Sequence, residues 1–248
     1  MNRTALKTLL GAAVLLLLVW QMVSMLLHLP MVPPPLRVGQ TIGDIFASSV
    51  AVHLGYSLGR IAAGLLLAVA AGLPLGMLAG YYPMLDRWIS PLLYLTYPAP
   101  KIAFLPVVLL LFGVGDFSKI FLIFLIIVFQ IVIAVRDAVR MLPAETFYPL
   151  FSLGASFPTI VREILWPASL PAFLTAIRVA MATAISVLFF TETFGTQYGM
   201  GYFIMDAWLR VNYLEMYAGI VVLSLAGLLL FALLDGLEAR LCRWRKTR

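Results

Sequence analysis

Residues 119–136 read KIFLIFLIIVFQIVIAVR, an apolar run closed by a basic residue at each end. About 20 predominantly apolar residues in helical form cross the hydrocarbon of a bilayer. A lone segment there must satisfy its own backbone, which a helix does and an open strand does not. Five more segments have the same character, at roughly 8–27, 56–80, 89–112, 171–191 and 216–236. The pattern predicts an all-α integral membrane protein with about six transmembrane helices.

Composition agrees. Of 248 residues, 63% are apolar and 11% are charged, whereas a soluble domain carries about 25% charged residues. The length suits one membrane domain with no ATPase or soluble binding domain attached. The formal charge is +6, and its densest basic cluster is Arg240, Arg243, Arg245, Lys246 and Arg248. A basic tail after an apolar span is a topology signal, and no nucleic-acid partner is expected from it. Cys242 has no partner for an intrachain disulfide. His28 and His53 lack companions at ligand spacing, so no metal site is expected. Residues 1–27 lack a small-residue cleavage site and predict a retained helix.

Charge sets the orientation. Arg3 and Lys7 precede the first span, and the basic tail follows the sixth. Arg87, Arg136, Arg140 and Arg162 fall on that same side, and the other side receives Arg37, Lys119 and Arg210. The bias predicts that both termini face the cytoplasm. The first connection, residues 28–40, holds Pro30, Pro33, Pro34 and Pro35 and is expected to be extended. Residues 192–215 suit a folded-back periplasmic segment. Three regions follow: 1–54 as a first helix and periplasmic connection, 55–236 as a five-span core, and 237–248 as a basic cytoplasmic tail. No internal repeat is apparent.

The cytoplasmic loop at 137–170 is too apolar for a solvated linker, with Phe147, Tyr148, Leu150, Phe151, Phe157, Ile160, Ile164 and Trp166. Its punctuation predicts two short helices. Pro143 opens the first, Gly154 ends it in the left-handed conformation, and Ser156 caps the second with Pro158 in its first turn. Pro167 breaks the chain before the fifth span. Such a knob either docks a partner or lies at the lipid headgroups.

Other features lie within the spans. Pro98, Pro100 and Pro106 are expected to break the third span, which membranes tolerate where protein or water satisfies the freed groups. The break either lines a substrate path or is a packing kink. Lys101, Arg178 and Glu192 are ionisable groups in or near apolar spans. Such groups cost about 2.5–3.5 kcal/mol at the bilayer centre and so face the protein interior. With Pro98 and Pro100 they are candidates for a translocation path. Arg178 could instead snorkel to phosphate, and Glu192 could be a gate or a packing partner. Gly72, Gly76 and Gly80, extended by Ala68, form a small-residue ridge for helix packing within the subunit or across a dimer.

Gly154, nine intervening residues, Ile164 and then Pro167 resemble the cytoplasmic loop signature of binding-protein-dependent ABC importer permeases. That signature opens with Glu-Ala-Ala six residues before its glycine, and this chain has Tyr148-Pro149-Leu150 there. Tyr97-Pro98-Ala99-Pro100-Lys101-Ile102-Ala103-Phe104-Leu105-Pro106, followed by Phe112-Gly113-Val114-Gly115-Asp116-Phe117-Ser118-Lys119-Ile120, resembles the nitrate/sulfonate/taurine branch. So do Leu170-Pro171-Ala172-Phe173-Leu174-Thr175-Ala176-Ile177-Arg178-Val179-Ala180, and Glu192 with Gly195 and Gly199-Met200-Gly201-Tyr202. The likeness runs from about residue 55 to 236.

The resemblance implies a type I ABC importer permease fold in a bacterial inner membrane, with a cytoplasmic coupling helix between spans four and five. Phe147, Tyr148, Phe151, Gly154, Ala155, Phe157, Ile164 and Pro167 would form the ATPase-coupling loop. It also implies a homodimer of permeases in membrane lipid, ABC ATPase subunits, and a periplasmic or lipid-anchored substrate-binding protein. The solute would be a nitrate-, sulfonate- or taurine-like oxyanion, or else a pyrimidine-type vitamin precursor. No Gly-x-x-x-x-Gly-Lys-Ser/Thr occurs in the chain, so no catalytic residue and no cofactor are expected here, and ATP with Mg would bind the partner ATPase. An ion-coupled secondary transporter would call for inverted repeats. A membrane enzyme would call for a convergent His, Cys or carboxylate cluster.

The topology is directly testable. Cysteines introduced at residue 34 or 205 should react with impermeant reagents from outside the cell. Those at 155 or 246 should react only once the membrane is opened, and a reversed result at any one site overturns the assignment.

Overall fold

The computed structural model describes residues 3–96 and 98–242. Tyr97 and the tail residues Arg243, Arg245, Lys246 and Arg248 lie outside the described residues. Among those described, the secondary structure is entirely helical. In chain order the helices are α1 (Arg3–Leu27), α2 (Pro35–Ile45), α3 (Ala51–Tyr81), α4 (Pro83–Thr96), α5 (Leu105–Phe112), α6 (Asp116–Arg140), α7 (Tyr148–Ser152), α8 (Phe157–Ile160), α9 (Trp166–Glu192), α10 (Met200–Leu209) and α11 (Tyr213–Leu241). Among the described residues, five helical stretches are long and apolar enough to cross a membrane, or six if α4 with residues 101–112, a pair bent by 83°, is counted as one span.

The chain forms two compact units. One comprises the residues up to Ser57 together with Gln197–Ala226, and the other Leu58–Thr196 with the residues from Gly227 onward. In the first unit, Trp20 of α1 stacks on Tyr217 of α11 at 5.6 Å. There α10 packs on α11 so closely that a Cβ on Gly219 would stand 2.7 Å from the Ile204 side chain.

The second unit is organised around α6, whose Leu122, Ile123, Ile127, Ile131 and Val135 are fully buried. The partner that covers much of this face is α3, and glycine sets the distance. A Cβ on Gly64 would meet Ile123 Cγ2 at 2.6 Å, on Gly72 Ile131 Cβ at 3.1 Å, on Gly76 Val135 Cβ at 2.8 Å, and on Gly80 Val139 Cβ at 2.6 Å. The ridge expected at Gly72, Gly76 and Gly80 therefore packs within the subunit, and Gly64 lengthens it. Both series of residue numbers rise together, so α3 and α6 are parallel over about 24 Å, at about 1.5 Å per residue. The chain leaves α3 at the Gly80 end and enters α6 at the Ile123 end. The bent pair α4–α5 therefore carries the chain back along the α3–α6 seam. Against α6, α9 runs antiparallel: its start clusters with Val139 through Ile164 and Leu165. In turn α11 is antiparallel to α9, with Gly227 beside Ile185 and Asp235 and Glu238 bonded to Arg178.

Several local expectations are corrected. The proline-rich connection turns at residues 29–32, where the Val32 N–H donates to the Leu29 carbonyl at 3.0 Å. It is extended at Pro34 and ends there because Pro35 is the first residue of α2, where a helix needs no N–H donor. For the same reason Pro106 lies in the first turn of α5 without breaking it, and among the described residues the third span divides at 98–100, ahead of the tight turn Lys101–Phe104. Pro167 does not interrupt the fifth span either: the helix is continuous from Phe157 to Glu192. A wide turn over Val161–Leu165 precedes it, with the Trp166 N–H reaching back to the Val161 carbonyl. That looser turn relieves the crowding a proline ring meets from the preceding turn. Ser156 occupies the cap position of α8, but its hydroxyl pairs with Thr159 Oγ1 at 3.1 Å and bonds no backbone amide.

The seam predicts an order of sensitivity. At Gly72 the nearest atoms would be 3.1 Å from an added Cβ, whereas at Gly80 a side-chain carbon lies at 2.6 Å and the Arg136 carbonyl oxygen at 2.8 Å. Gly80→Ala should therefore cost about 1–3 kcal/mol of overpacking and lower the melting midpoint of the purified protein well below that of Gly72→Ala. Equal midpoints would show that the helices part freely.

Candidate functional site

The loop after α6 folds back on the ends of α3 and α6. Pro143 adopts φ −66° and ψ 146° and leads into a tight turn at 144–146, followed by α7. Gly154, at φ +65°, then ends α7. The Ala155 N–H donates to the Leu150 carbonyl at 3.0 Å, and the Gly154 N–H to the Phe151 carbonyl at 3.0 Å. This paired closure is the Schellman turn. It uses up the last carbonyls of α7 and turns the chain into α8. The inward-facing side chains are Phe147, Leu150, Ala155, Phe157 and Ile164, gathered on Tyr81 and Val139. Tyr81 meets Phe147 at 5.8 Å and Phe157 at 5.5 Å, ring centre to ring centre.

The exposed side mixes large apolar side chains with polar ones, among them Glu145, Arg162 and Glu163. Tyr148, Phe151 and Leu153 are more than half exposed, with Gly154 beside them. Between the knob and the helix ends lies a cavity of about 600 Å³ lined by Tyr81, Tyr82, Arg140, Phe147, Tyr148 and Phe151. Pro167 stands behind the knob in the first turn of α9, half-buried.

The break in the third span opens a second cavity, of about 980 Å³, lined by Ser90, Tyr94, Leu95, Pro98, Ile133 and Arg136. One end is charged: Arg136 Nη1 donates to Ser90 Oγ at 2.8 Å, Arg136 Nη2 to Asp137 Oδ1 at 2.8 Å, and Ser90 Oγ to Asp86 Oδ1 at 2.6 Å. Arg140 also pairs with Asp86. Pro100 precedes the turn that carries Lys101. Lys101 Nζ donates to the Thr96 carbonyl at 2.9 Å and sits 5.1 Å from the centre of the Phe129 ring.

A third cluster lies at the Asp116 end of α6. The Arg60 guanidinium is almost fully buried. It donates to Glu192 Oε1 at 2.6 Å, to Asp116 Oδ1 at 2.9 and 2.6 Å, and to Thr196 Oγ1 at 3.4 Å. Beside it the fully buried Lys119 donates to the Val114 carbonyl at 2.8 Å and the Gly115 carbonyl at 3.3 Å. Two cations and two carboxylates thus cancel. From Asp116 to Arg140, α6 is about 36 Å long, slightly more than the roughly 30 Å of hydrocarbon. The cluster and the knob therefore sit at opposite ends of a helix long enough to cross a membrane. Arg178 belongs to neither: it bridges Asp235 and Glu238, the latter at 2.7 Å. The path candidates are consequently dispersed, with Pro98, Pro100 and Lys101 near the break, Glu192 at the far end of α6, and Arg178 tied to α11.

Comparison with known proteins decides the family. Residues 72–246 match the model of the binding-protein-dependent transport system inner membrane component. The chain belongs to that family. The match takes in the broken third span, α6, the knob, α9 and α11. Among the permease's relatives, the taurine transport system permease protein TauC of Escherichia coli is 30% identical, over 94% of this chain and 87% of its own. The putative aliphatic sulfonates transport permease protein SsuC of Bacillus subtilis is 30% identical, over 92% and 84%. The formylaminopyrimidine transport permease protein ThiX of Halalkalibacterium halodurans is 28% identical, over 94% of each chain. A chain of the MetNI methionine ABC transporter, in an inward-facing conformation, shares the fold, with a TM-score of 0.66, 20% identity, and coverage of 81% of this chain and 98% of its own. The permease is thus a transport subunit of a bacterial inner membrane, and its fold is that of an ABC importer permease.

Sequence reasoning passed over Arg60, a single charge inside an apolar run. The available signal was the need of any buried cation for a carboxylate, and Glu192 had already been singled out. Gln130, midway along α6, was also missed. Its Nε2 donates to Thr183 Oγ1 at 3.5 Å, and its Oε1 has no protein partner among the described groups.

The cluster predicts unequal costs. Arg60 and Glu192 are buried, whereas Asp116 is 56% exposed. Arg60→Met should destabilise the permease by about 3–5 kcal/mol, because it strands a buried carboxylate. Asp116→Asn should cost no more than about 1 kcal/mol, as exposed pairs do. Adding Glu192→Gln to Arg60→Met should recover part of the lost melting temperature, and no recovery would mean that the pair is not the buried unit described.

Proposed function

We propose that this permease forms, as a homodimer with both termini in the cytoplasm, the membrane path of an ATP-driven importer. A binding protein outside delivers a small solute, and two ATPase subunits inside bind ATP and Mg and grip the knob at 143–167. The observation that supports this is the two-sided knob. One face is packed on Tyr81 and Val139, and the other leaves Tyr148, Phe151 and Leu153 open to water. A helix lying among headgroups would turn its apolar face to lipid and its polar face to water, whereas the knob has one apolar side already packed on the protein and still exposes Tyr148, Phe151 and Leu153. Movement of the ATPases would then act on the rigid α3–α6 pair and rock the spans in alternating access.

For the solute, relatives of nearly equal identity handle taurine, aliphatic sulfonates and formylaminopyrimidine by name. A small oxyanion of the sulfonate or taurine kind is the reading that two of these three support, and a pyrimidine precursor is the second. Pro98, Pro100 and Lys101 would line the path beside the third-span break. Glu192 would serve as a packing anchor through Arg60, and Arg178 as a strap to α11.

Gly154 provides the test. A Cβ there would meet nothing within 4 Å, and only the φ of +65° opposes it. Gly154→Val should cost about 1–2 kcal/mol at the turn, enough to reorient α8 and leave the spans inserted. We expect the purified chain alone to hydrolyse no ATP, and the co-expressed wild-type complex to retain its ATPase and support uptake. In Gly154→Val, uptake should be lost, with the ATPase released or cycling without transport. Full uptake with normal retention would return the knob to a headgroup-lying element.

A further inference from the structure

At the start of α3, His53 and Ser57 stand one helical turn apart on the same face, and together they terminate a different helix. The Gly199 N–H donates to His53 Nδ1 at 3.2 Å, and the Met200 N–H donates to Ser57 Oγ at 2.8 Å. These amides open α10, where a helix has no carbonyl of its own to offer them. Gly199 has no side chain with which to cap the helix itself. The cap of α10 is therefore supplied from outside, by two side chains of α3. The imidazole is held in place by rings of the capped segment, with Phe203 at 5.4 Å, Tyr202 at 5.9 Å and Tyr198 at 6.0 Å.

The two caps differ in one chemical respect. A serine hydroxyl accepts a hydrogen bond at any ordinary pH. An imidazole nitrogen accepts only while it carries no proton, and unperturbed imidazole takes up its proton near pH 6.5. Charges around the ring pull both ways. Burial of the ring is the largest influence and disfavours its charged form; on α10, the Asp206 carboxylate acts on His53 and favours the charged ring, but it is itself held by Arg210 Nε at 2.9 Å. The amides at the start of α10 point their positive ends at the ring and oppose that charge. Tyr198 and Tyr202 on the capped side and Tyr56 on α3 are phenols that titrate far above this range.

We propose that His53 is a proton-operated latch on α10. Neutral, it caps the helix and holds residues 199–209 against the start of α3. Protonated, its Nδ1 becomes a donor facing a donor, that cap is lost, and the start of the segment loosens with Ser57 as the remaining cap. The latch is local, and its placement at the outer mouth of an importer, where it would sense external acidity, rests on the proposed function.

The test is hydrogen–deuterium exchange of the full-length permease in lipid nanodiscs at neutral pH and near pH 5. The amides of α6 serve as the reference for intrinsic exchange. In the wild type, exchange over Met200–Leu209, taken relative to the intrinsic rate at each pH, should quicken about fivefold to tenfold on acidification, the factor that losing one helix cap produces. His53→Asn, whose amide oxygen accepts at both pH values, should stay slow throughout. His53→Ala should be fast throughout, and Ser57→Ala faster at both pH values while keeping the acid step. A wild type without the acid step, or an acid step retained in His53→Asn, overturns the latch. In the reconstituted importer with its binding protein and ATPase, uptake should fall when the outer face is acidified in the wild type and not in His53→Asn. Uptake indifferent to outer pH in the wild type would overturn the transport role. Absence of uptake in every variant would instead count against the proposed function and leave the exchange result standing.

Discussion

The close approach of α3 and α6 is the constraint on which the second unit depends. Hydrophobic burial gives no drive to associate helices that already sit in hydrocarbon, so contact must come from fit. Gly64, Gly72, Gly76 and Gly80 remove the side chains that would hold the backbones apart, and Ile123, Ile131, Val135 and Val139 fill the space. Because the pair is parallel, its two ends are defined together. One end supplies Tyr81 and Val139 as the floor of the knob, and the other brings Arg60 to Asp116. A slip of one turn along the seam would dismantle both.

Charge is handled differently from packing but to a similar end. Each ion cluster in the second unit is close to neutral and joins helices distant in sequence. Arg60 gathers Asp116 and Glu192, Asp86 gathers Arg136 and Arg140, and Arg178 gathers Asp235 and Glu238. A compensated group can sit at the edge of the hydrocarbon without the penalty of a bare charge. The clusters also choose partners: an apolar face would accept several rotations of a neighbouring helix, and a bidentate guanidinium accepts few.

What could be read from sequence divides along the range of the interaction. Spans are legible because lipid imposes a sustained apolar length, and α6 begins and ends within a few residues of expectation. The left-handed turn at Gly154 is legible because turn chemistry is local. The prolines are only half legible. Pro98 and Pro100 interrupt a helix, whereas Pro106 and Pro167 fall in first turns, and which case holds depends on where the helix starts, a tertiary matter. Arg60 and His53 were missed as functional groups because their partners lie far along the chain. A lone charge and a lone histidine give no local hint of a carboxylate or an amide more than a hundred residues away.

The Schellman turn at Gly154 has a thermodynamic consequence. It spends the backbone groups at the tip of the knob internally, and the neighbouring charges offset each other as Arg162 with Glu163 and Arg140 with Asp86. What the tip offers to a partner is therefore mainly the rings of Tyr148 and Phe151 and the aliphatic surface of Leu153. Association through such a surface should show a negative heat-capacity change as its dominant signature and only a shallow dependence on ionic strength. A grip of this kind weakens in the cold and ignores salt, which would set it apart from a contact built on ion pairs.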